Sequence, residues 1–241
     1  MARSRWKIHK FGGSSLADAD CFSRVAKLML ERPEERIGVV VSAMGGMTDA
    51  LLQLASLAER DDPGFEAALN AIGERYSDTA KRLLDVDALV PVLDAWGRDA
   101  EDVRDVLKAI ALVKSAPQRS RDVVAGYGEI WAARLLAALL AQLSPERGGS
   151  WLDARKVITV HQAELGPTVL WEASSKRFAA EVDADFAGII VMTGFIASDE
   201  ESLQTTLGRN GSDYSAAIFA ALSGASELSI WTDVDGVMSA D

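Results

Sequence analysis

IGVVVSAMGGMTDA, residues 37–50, decides the fold. Ile37 to Val41 is a β-branched run without polar alternation, as expected of a strand buried on both faces in a parallel sheet. It runs directly into a glycine-rich turn, Ser42 to Asp49, and then into a helix predicted from Ala50 to Glu59. The same grammar occurs just upstream. Trp6 to Phe11 reads as a strand and Gly12-Gly13-Ser14-Ser15 as a turn, while Phe22, Val25, Ala26, Leu28 and Met29 recur at helical spacing between Asp18 and Leu30. Two strand–turn–helix units in succession predict an α/β sheet whose ligand crevice lies at the carboxyl ends of its strands.

Downstream, the pattern from 64 to 143 is almost wholly helical, with helices predicted near 65–84, 87–113 and 120–143 and breaks at Asp85, Pro117 and Pro145. The third contains GYGEIWAARLL, residues 126–136. Gly126 and Gly128 weaken a helix by about 1 kcal/mol each relative to Ala, so they mark either a close approach by another backbone or ligand, or plain helix–helix packing. Taken alone, Glu129 reads as solvent-facing. Next come a short strand ending at Asp153, a second strand candidate from Lys156 to Val160, and a helix from Val169 to Val182. An apolar strand spans Ala187 to Thr193, Leu203 to Leu207 reads as half of a hairpin, and a strand covers Glu227 to Trp231. No repeat, low-complexity tract or linker divides the chain.

Composition narrows the function classes. With 241 residues, 49% of them hydrophobic, the chain can bury a large core as one domain or two closely packed lobes. The balance of 25 basic against 36 acidic residues, a net charge of −11, argues against a nucleic-acid surface. One cysteine, Cys21, rules out an internal disulfide and fits a reducing compartment. It lies in a helical segment without a nearby histidine and reads as core filler. His9 and His161 are too far apart for a metal motif, and His9 reads as a structural residue, so no residue is assigned as a metal ligand. The basic start MARSRWK is not followed by an apolar signal core. The most apolar segment, Ile130 to Leu143, is interrupted by Arg134 and reads as too short to span a membrane. The expectation is a soluble cytoplasmic protein with no membrane or nucleic-acid partner.

The chemistry is concentrated in TLGRNGSDYSAA, residues 206–217. Gly208 and Gly211 free the backbone to take positive φ and to pass close to a ligand. Ser212 or Asp213 is expected to cap a helix running through Ala216 to Leu222. A turn feeding a helix start offers unpaired N–H groups to an anion. Arg209 adds a planar fork for a carboxylate or phosphate, and Asp213 a carboxylate for a metal or a proton. Neither GxxxxGK[ST] nor GxGxxG after a strand is present, so a phosphate site here would use several separate glycine turns. Lys10 stands immediately before the first of them.

Together, KFGGSS (10–15), SAMGGMTDAL (42–51), GYGEIWAA (126–133), LDARKV (152–157), TGFIAS (193–198), TLGRNGSDYSAA and IWTDVDGV (230–237) resemble the aspartokinases of the amino-acid kinase family. The match is most like the kinase part of the bifunctional aspartokinase–homoserine dehydrogenases. It covers essentially the whole chain, in the family's order. The resemblance implies a three-layer αβα sandwich around a mainly parallel sheet, with a helical substrate-side region at about 64–145. It also implies transfer of the ATP γ-phosphoryl group to the side-chain carboxylate of L-aspartate, giving 4-phospho-L-aspartate on the way to lysine, threonine and methionine. ATP and Mg²⁺ are the implied cofactors, and a homo-oligomer is expected.

Position by position, the resemblance implies that Lys10 and the Gly12-Gly13-Ser14 turn hold the transferring phosphoryl group. It places Thr48, Glu129, Phe195, Arg209 and Ser212 around the aspartate. Asp213 is expected to organise the reacting groups and the metal, and Thr232 and Asp233 to contact the nucleotide. Ser14 replaces the family's usual Thr and keeps the hydroxyl, and Met238 stands where many relatives carry an aromatic residue. The chain stops at Asp241, whereas relatives continue with further kinase structure, including another nucleotide-side lysine, and usually with regulatory ACT domains. Residues 1–241 are therefore expected to form a kinase domain truncated at its C-terminal end, weak or inactive alone. Two other readings stay open: a related acid-group kinase such as a glutamate 5-kinase, and a fragment that binds ligands without turnover.

Overall fold

In the computed structural model, which describes residues 6–163 and 166–232, five parallel strands form a central sheet. They are β1 (Lys7–Phe11), β2 (Arg36–Val41), β3 (Ser150–Leu152), β6 (Gly188–Thr193) and β9 (Glu227–Trp231), in the spatial order β3-β6-β2-β1-β9. Two antiparallel pairs stand apart from the sheet: β4 (Val160–Ala163) with β5 (Gly166–Val169), and β7 (Ile196–Ser198) with β8 (Gln204–Thr206). The helices are α1 (Ala19–Leu30), α2 (Met47–Glu59), α3 (Gly64–Leu83), α4 (Val86–Val113), α5 (Gln118–Leu143), α6 (Trp171–Glu181) and α7 (Gly211–Ser223).

β2 and β6 are buried almost end to end, as their unbroken apolar runs require. Alternation along β1 sends Lys10 toward α7, whose Asp213 it meets, and Phe11 to the face shared with Cys21 and Val25 of α1. The sheet is therefore sandwiched, with α6 and α7 on one side and α1 and α5 on the other, while α2, α3 and α4 pack outward from α5. The register aligns Phe11 with Val41 and Trp231, and Val41 with Thr193. The turns after β1, β2, β6 and β9 thus leave the sheet at one level, which is what lets them build a common site.

Local chemistry sets the helix ends. Asp18 caps α1 by accepting the Cys21 N–H at 2.9 Å, and Asp85 caps α4 by accepting the Ala88 N–H at 3.0 Å. Some boundaries differ from the sequence reading. α2 begins at Met47, so Thr48 lies in its first turn. Lys156 to Val160 is not a strand: Asp153 accepts the Arg155 N–H at 3.0 Å and also holds its guanidinium, winding 154–156 into a tight helical turn before β4 starts at Val160. Val169 ends β5, paired with Val160, and α6 starts only at Trp171. α7 starts at Gly211 with Asn210 in the left-handed conformation (φ 58°), so neither Ser212 nor Asp213 is its cap.

The apolar segment expected to be too short for a membrane belongs to α5, which has 26 residues and is long and apolar enough to cross one. Most of it is buried within the fold, with Ile130, Trp131, Leu135, Leu136 and Leu140 in the hydrophobic core. Gly126 and Gly128 serve packing there. A Cβ on Gly128 would lie 2.8 Å from Ala43 Cβ, and one on Gly126 2.8 Å from Ile196 Cγ2.

Candidate active site

A cleft of about 670 Å³ opens where the carboxyl ends of β1, β2 and β6 meet the N-termini of α2 and α7. Lys10, Gly13, Thr48, Glu129, Phe195, Arg209, Ser212 and Asp213 all line it, although they come from five separate parts of the chain. The cleft also takes in Gly45, Gly46, Asp49 and Asn210, which sequence reasoning did not assign. The signal for them was present in the strand–glycine–helix transitions: Gly46 (φ 74°) and Asn210 (φ 58°) are the left-handed residues that start α2 and α7.

Lys10 Nζ lies 2.8 Å from Asp213 Oδ1, with the lysine side chain largely buried. A Cβ on Gly12 would sit 3.5 Å from the same ammonium, so a glycine turn passes beside it. Arg209, by contrast, is exposed and makes no ion pair among the described residues. Two helix N-termini and two cations converge on one cleft of an acidic chain, which gives it the character of an anion site.

Phe195 follows β6 in the left-handed region at φ 63°, a conformation that costs a non-glycine residue free energy unless its surroundings enforce it. They do. The Phe195 N–H donates to Ser215 Oγ at 2.9 Å, and that hydroxyl donates to the Gly211 carbonyl at 3.0 Å. A Cβ on Gly211 would come within 2.8 Å of the Phe195 ring, and one on Gly194 within 2.9 Å of Ser212 Cβ. The turn after β6 and the start of α7 are therefore fitted to one another.

Glu129 points inward from α5 and is only 3% exposed, against the solvent-facing position that its sequence context suggests in isolation. Its Oε1 accepts the Ala43 N–H at 3.3 Å, while Oε2 is buried with no hydrogen-bond partner. Burial pushes its pKa up to about 8, against a smaller lowering by the Ala43 N–H. The carboxyl is thus largely neutral at pH 7, and a cation entering the cleft beside it would favour the ionised form. No sequence signal announced the bond from Ala43, which joins segments 86 residues apart.

Ser14 and Thr232 fall elsewhere. Both line a smaller pocket of about 290 Å³, walled by Phe11, Cys21, Arg24 and the Trp231 ring stacked on Phe11 at 5.7 Å. Asp233, expected beside the nucleotide, lies outside the described residues, as does Met238. Among the described residues there is no group of three or more His, Cys, Asp or Glu side chains able to hold a metal ion by themselves. Cys21 is buried, and His9 is buried with its Nδ1 accepting from Trp231 Nε1 at 3.2 Å.

Comparison with known proteins gives this geometry its context. The chain is 39% identical to the chloroplastic bifunctional aspartokinase/homoserine dehydrogenase of Daucus carota, a match covering 98% of this chain and 26% of that protein. It is 32% identical to lysine-sensitive aspartokinase 3 of Escherichia coli, over 97% of this chain and 50% of that one. The crystal structure of E. coli aspartokinase III in complex with aspartate and ADP superposes with a TM-score of 0.82 at 30% identity, covering 95% of this chain and 49% of that chain. The chain thus spans about half the length of these aspartokinases and about a quarter of the bifunctional enzyme. The profile of the amino acid kinase family matches residues 5–241. On that match, and on a parallel sheet whose turns converge on one cleft, the chain belongs to the amino acid kinase family.

Proposed function

We propose that this chain transfers the γ-phosphoryl group of ATP to the side-chain carboxylate of L-aspartate, forming 4-phospho-L-aspartate and ADP. The observation that carries the reading is the buried Glu129 carboxyl, one oxygen unpartnered, set in the same cleft as the Lys10 and Arg209 cations and two helix N-termini. A phosphate-only site has no use for such a group. An amino acid, which brings an ammonium together with carboxylates, does. Glu129 receives the ammonium, and Arg209 suits the α-carboxylate as a bidentate donor. The similarity to an aspartokinase crystallised with aspartate and ADP supports the same assignment.

The acceptor carboxylate is already ionised near neutral pH, so no general base is required. One of its oxygens bonds to the γ-phosphorus while the bond from that phosphorus to the β–γ bridging oxygen breaks, and ADP leaves with the electron pair. The obstacle is repulsion between the carboxylate and the triphosphate. Lys10, with the N–H groups of the α2 and α7 termini, offsets it where negative charge develops. Mg²⁺ would arrive with the nucleotide and neutralise phosphate charge; Asp213 and Asp49 are the cleft carboxylates available to it. The product would be a precursor for lysine, threonine and methionine.

The test is acyl phosphate formation, trapped with hydroxylamine, at saturating Mg-ATP with L-aspartate or L-glutamate. Hydroxamate from aspartate alone is the expected result, in place of the weak or absent turnover expected from the sequence, because Lys10, Glu129, Arg209 and Asp213 all line one cleft. Hydroxamate from glutamate alone, or from neither, overturns the assignment.

A further inference from the structure

Arg75 lies on α3 and is not among the residues that line the cleft, yet its guanidinium reaches two turns that build it. Nη2 donates to the Gly45 carbonyl at 2.7 Å and to the Ala17 carbonyl at 3.0 Å. Gly45 belongs to the turn after β2, and Ala17 closes the turn after β1. The two turns are already in contact. A Cβ on Gly13 would lie 3.1 Å from the Ala43 oxygen, and one on Gly45 would lie 3.1 Å from the Gly13 oxygen. Arg75 makes no ion pair among the described residues, so its charge is directed at these carbonyls. Its own helix is tied to α5, because the buried Tyr76 hydroxyl donates to the Trp131 carbonyl at 3.2 Å.

Peptide geometry turns this bond into a statement about the cleft. In a trans peptide the C=O and the following N–H point in opposite directions, and there is no cis peptide among the described residues. A Gly45 carbonyl drawn outward to Arg75 therefore turns the Gly46 N–H the other way. Gly46 lines the cleft, and no hydrogen bond among the described residues takes up its N–H. Gly46 stands at φ 74° with open space around it, in a turn closed by the Met47 N–H on the Met44 carbonyl at 2.8 Å, and the bond from Arg75 holds the direction in which the central peptide of that turn faces.

We propose that Arg75 is a positioning residue for phosphoryl transfer: it ties the two glycine turns together and holds the Gly45–Gly46 peptide with its N–H toward the transferring group. This rests on the kinase reading above. The donor gains importance as charge develops in the transition state, so its loss should appear in kcat rather than in acceptor binding.

The experiment compares the wild-type chain with Arg75→Ala by hydroxamate assay and by hydrogen exchange, read peptide by peptide. Arg75→Ala should lower kcat by about tenfold or more, the scale of one charge-assisted bond, with the KM for aspartate within about twofold. Added guanidinium ion, well below denaturing concentrations, should restore part of the rate to Arg75→Ala and none to Lys10→Ala. Exchange should quicken in segments 13–18 and 43–49 and stay unchanged elsewhere. Unchanged exchange in both segments overturns the proposal, as does faster exchange throughout the protein, which would mark a general stabilising role. If the wild-type chain makes no acyl phosphate, the kinase reading fails and the exchange pattern alone decides whether Arg75 clamps the turns.

Discussion

Two cations in one cleft have different surroundings, and this separates their expected effects. Arg209 is exposed and has no ion-pair partner among the described residues, so it is free to engage an incoming carboxylate. Arg209→Ala should raise the KM for aspartate by roughly 10- to 100-fold, the equivalent of about 1.5–3 kcal/mol, with little change in the KM for ATP. Steady-state kinetics with each substrate varied in turn checks this, and equal effects on both would remove Arg209 from the acceptor site. Lys10 is largely buried and already paired with Asp213. It is poised to follow charge that grows during transfer, so Lys10→Ala should act chiefly on kcat. A variant with wild-type kcat and only weaker ATP binding would contradict that role. Glu129 adds a pH signature. Its pKa of about 8 keeps it neutral at lower pH, whereas an ammonium is held best by the carboxylate. Aspartate affinity should therefore improve as pH rises toward 8, and Glu129→Gln should bind weakly with a flat profile across that range.

At the scale of elements, the site depends on how closely α5 approaches the turn after β2. Gly128 makes that approach possible, since a methyl group there would meet Ala43 Cβ at 2.8 Å and Met47 and Leu51 at 3.4 Å. Alanine would raise helix propensity by about 1 kcal/mol, but overpacking of this kind typically costs about 1–3 kcal/mol. Gly128→Ala should thus be neutral to destabilising by up to about 2 kcal/mol in denaturant unfolding, the difference of those two ranges. It should also weaken aspartate binding by displacing the neighbouring Glu129. A variant more stable than wild type with unchanged KM would show that the contact is easily relieved. The same logic applies across the cleft, where Gly211 and Gly194 let the start of α7 sit against the Phe195 turn.

For the molecule as a whole, the cleft exacts a stability trade that can be measured. An acid whose folded pKa is raised from 4.5 to about 8 retains a proton that the unfolded chain has already lost. Between those two values the folded state binds more protons, so its stability falls as pH rises through that window. By about pH 8 the loss is on the order of a few kcal/mol from this one group. Glu129→Gln should remove that slope and make the protein more stable than wild type at pH 8, while the two differ little near pH 4.5. Urea unfolding across this range tests it, and parallel stability curves for the two proteins would contradict the buried charge. A gain in stability together with a loss of aspartate binding is the pattern expected of a group kept for function.

Local sequence was enough to place the strands of the central sheet and the long helices. The unbroken apolar run of β2, the Asp18 and Asp85 caps and the glycine turns are local features, and periodicity and capping are encoded by neighbours within a few residues. The motifs from Lys10 to Asp213 were likewise legible as a set, and all but the mid-helix GYGEIWAA lie at or beside a strand end or helix start. Boundaries shifted where a side chain acted on the backbone, as Asp153 does on Arg155. What the tertiary structure alone decided was environment. Glu129 reads as solvent-facing on its own helix; it is buried because α5 is pressed against the turn at Ala43, a relation between segments far apart in the chain. The division of the predicted nucleotide residues between the cleft and the pocket at Ser14 and Thr232, and the reach of Arg75 to Gly45, are of the same kind. Desolvation, peptide orientation and the fit of one turn against another sum contributions from many separate segments, and no local pattern of residue types carries that sum.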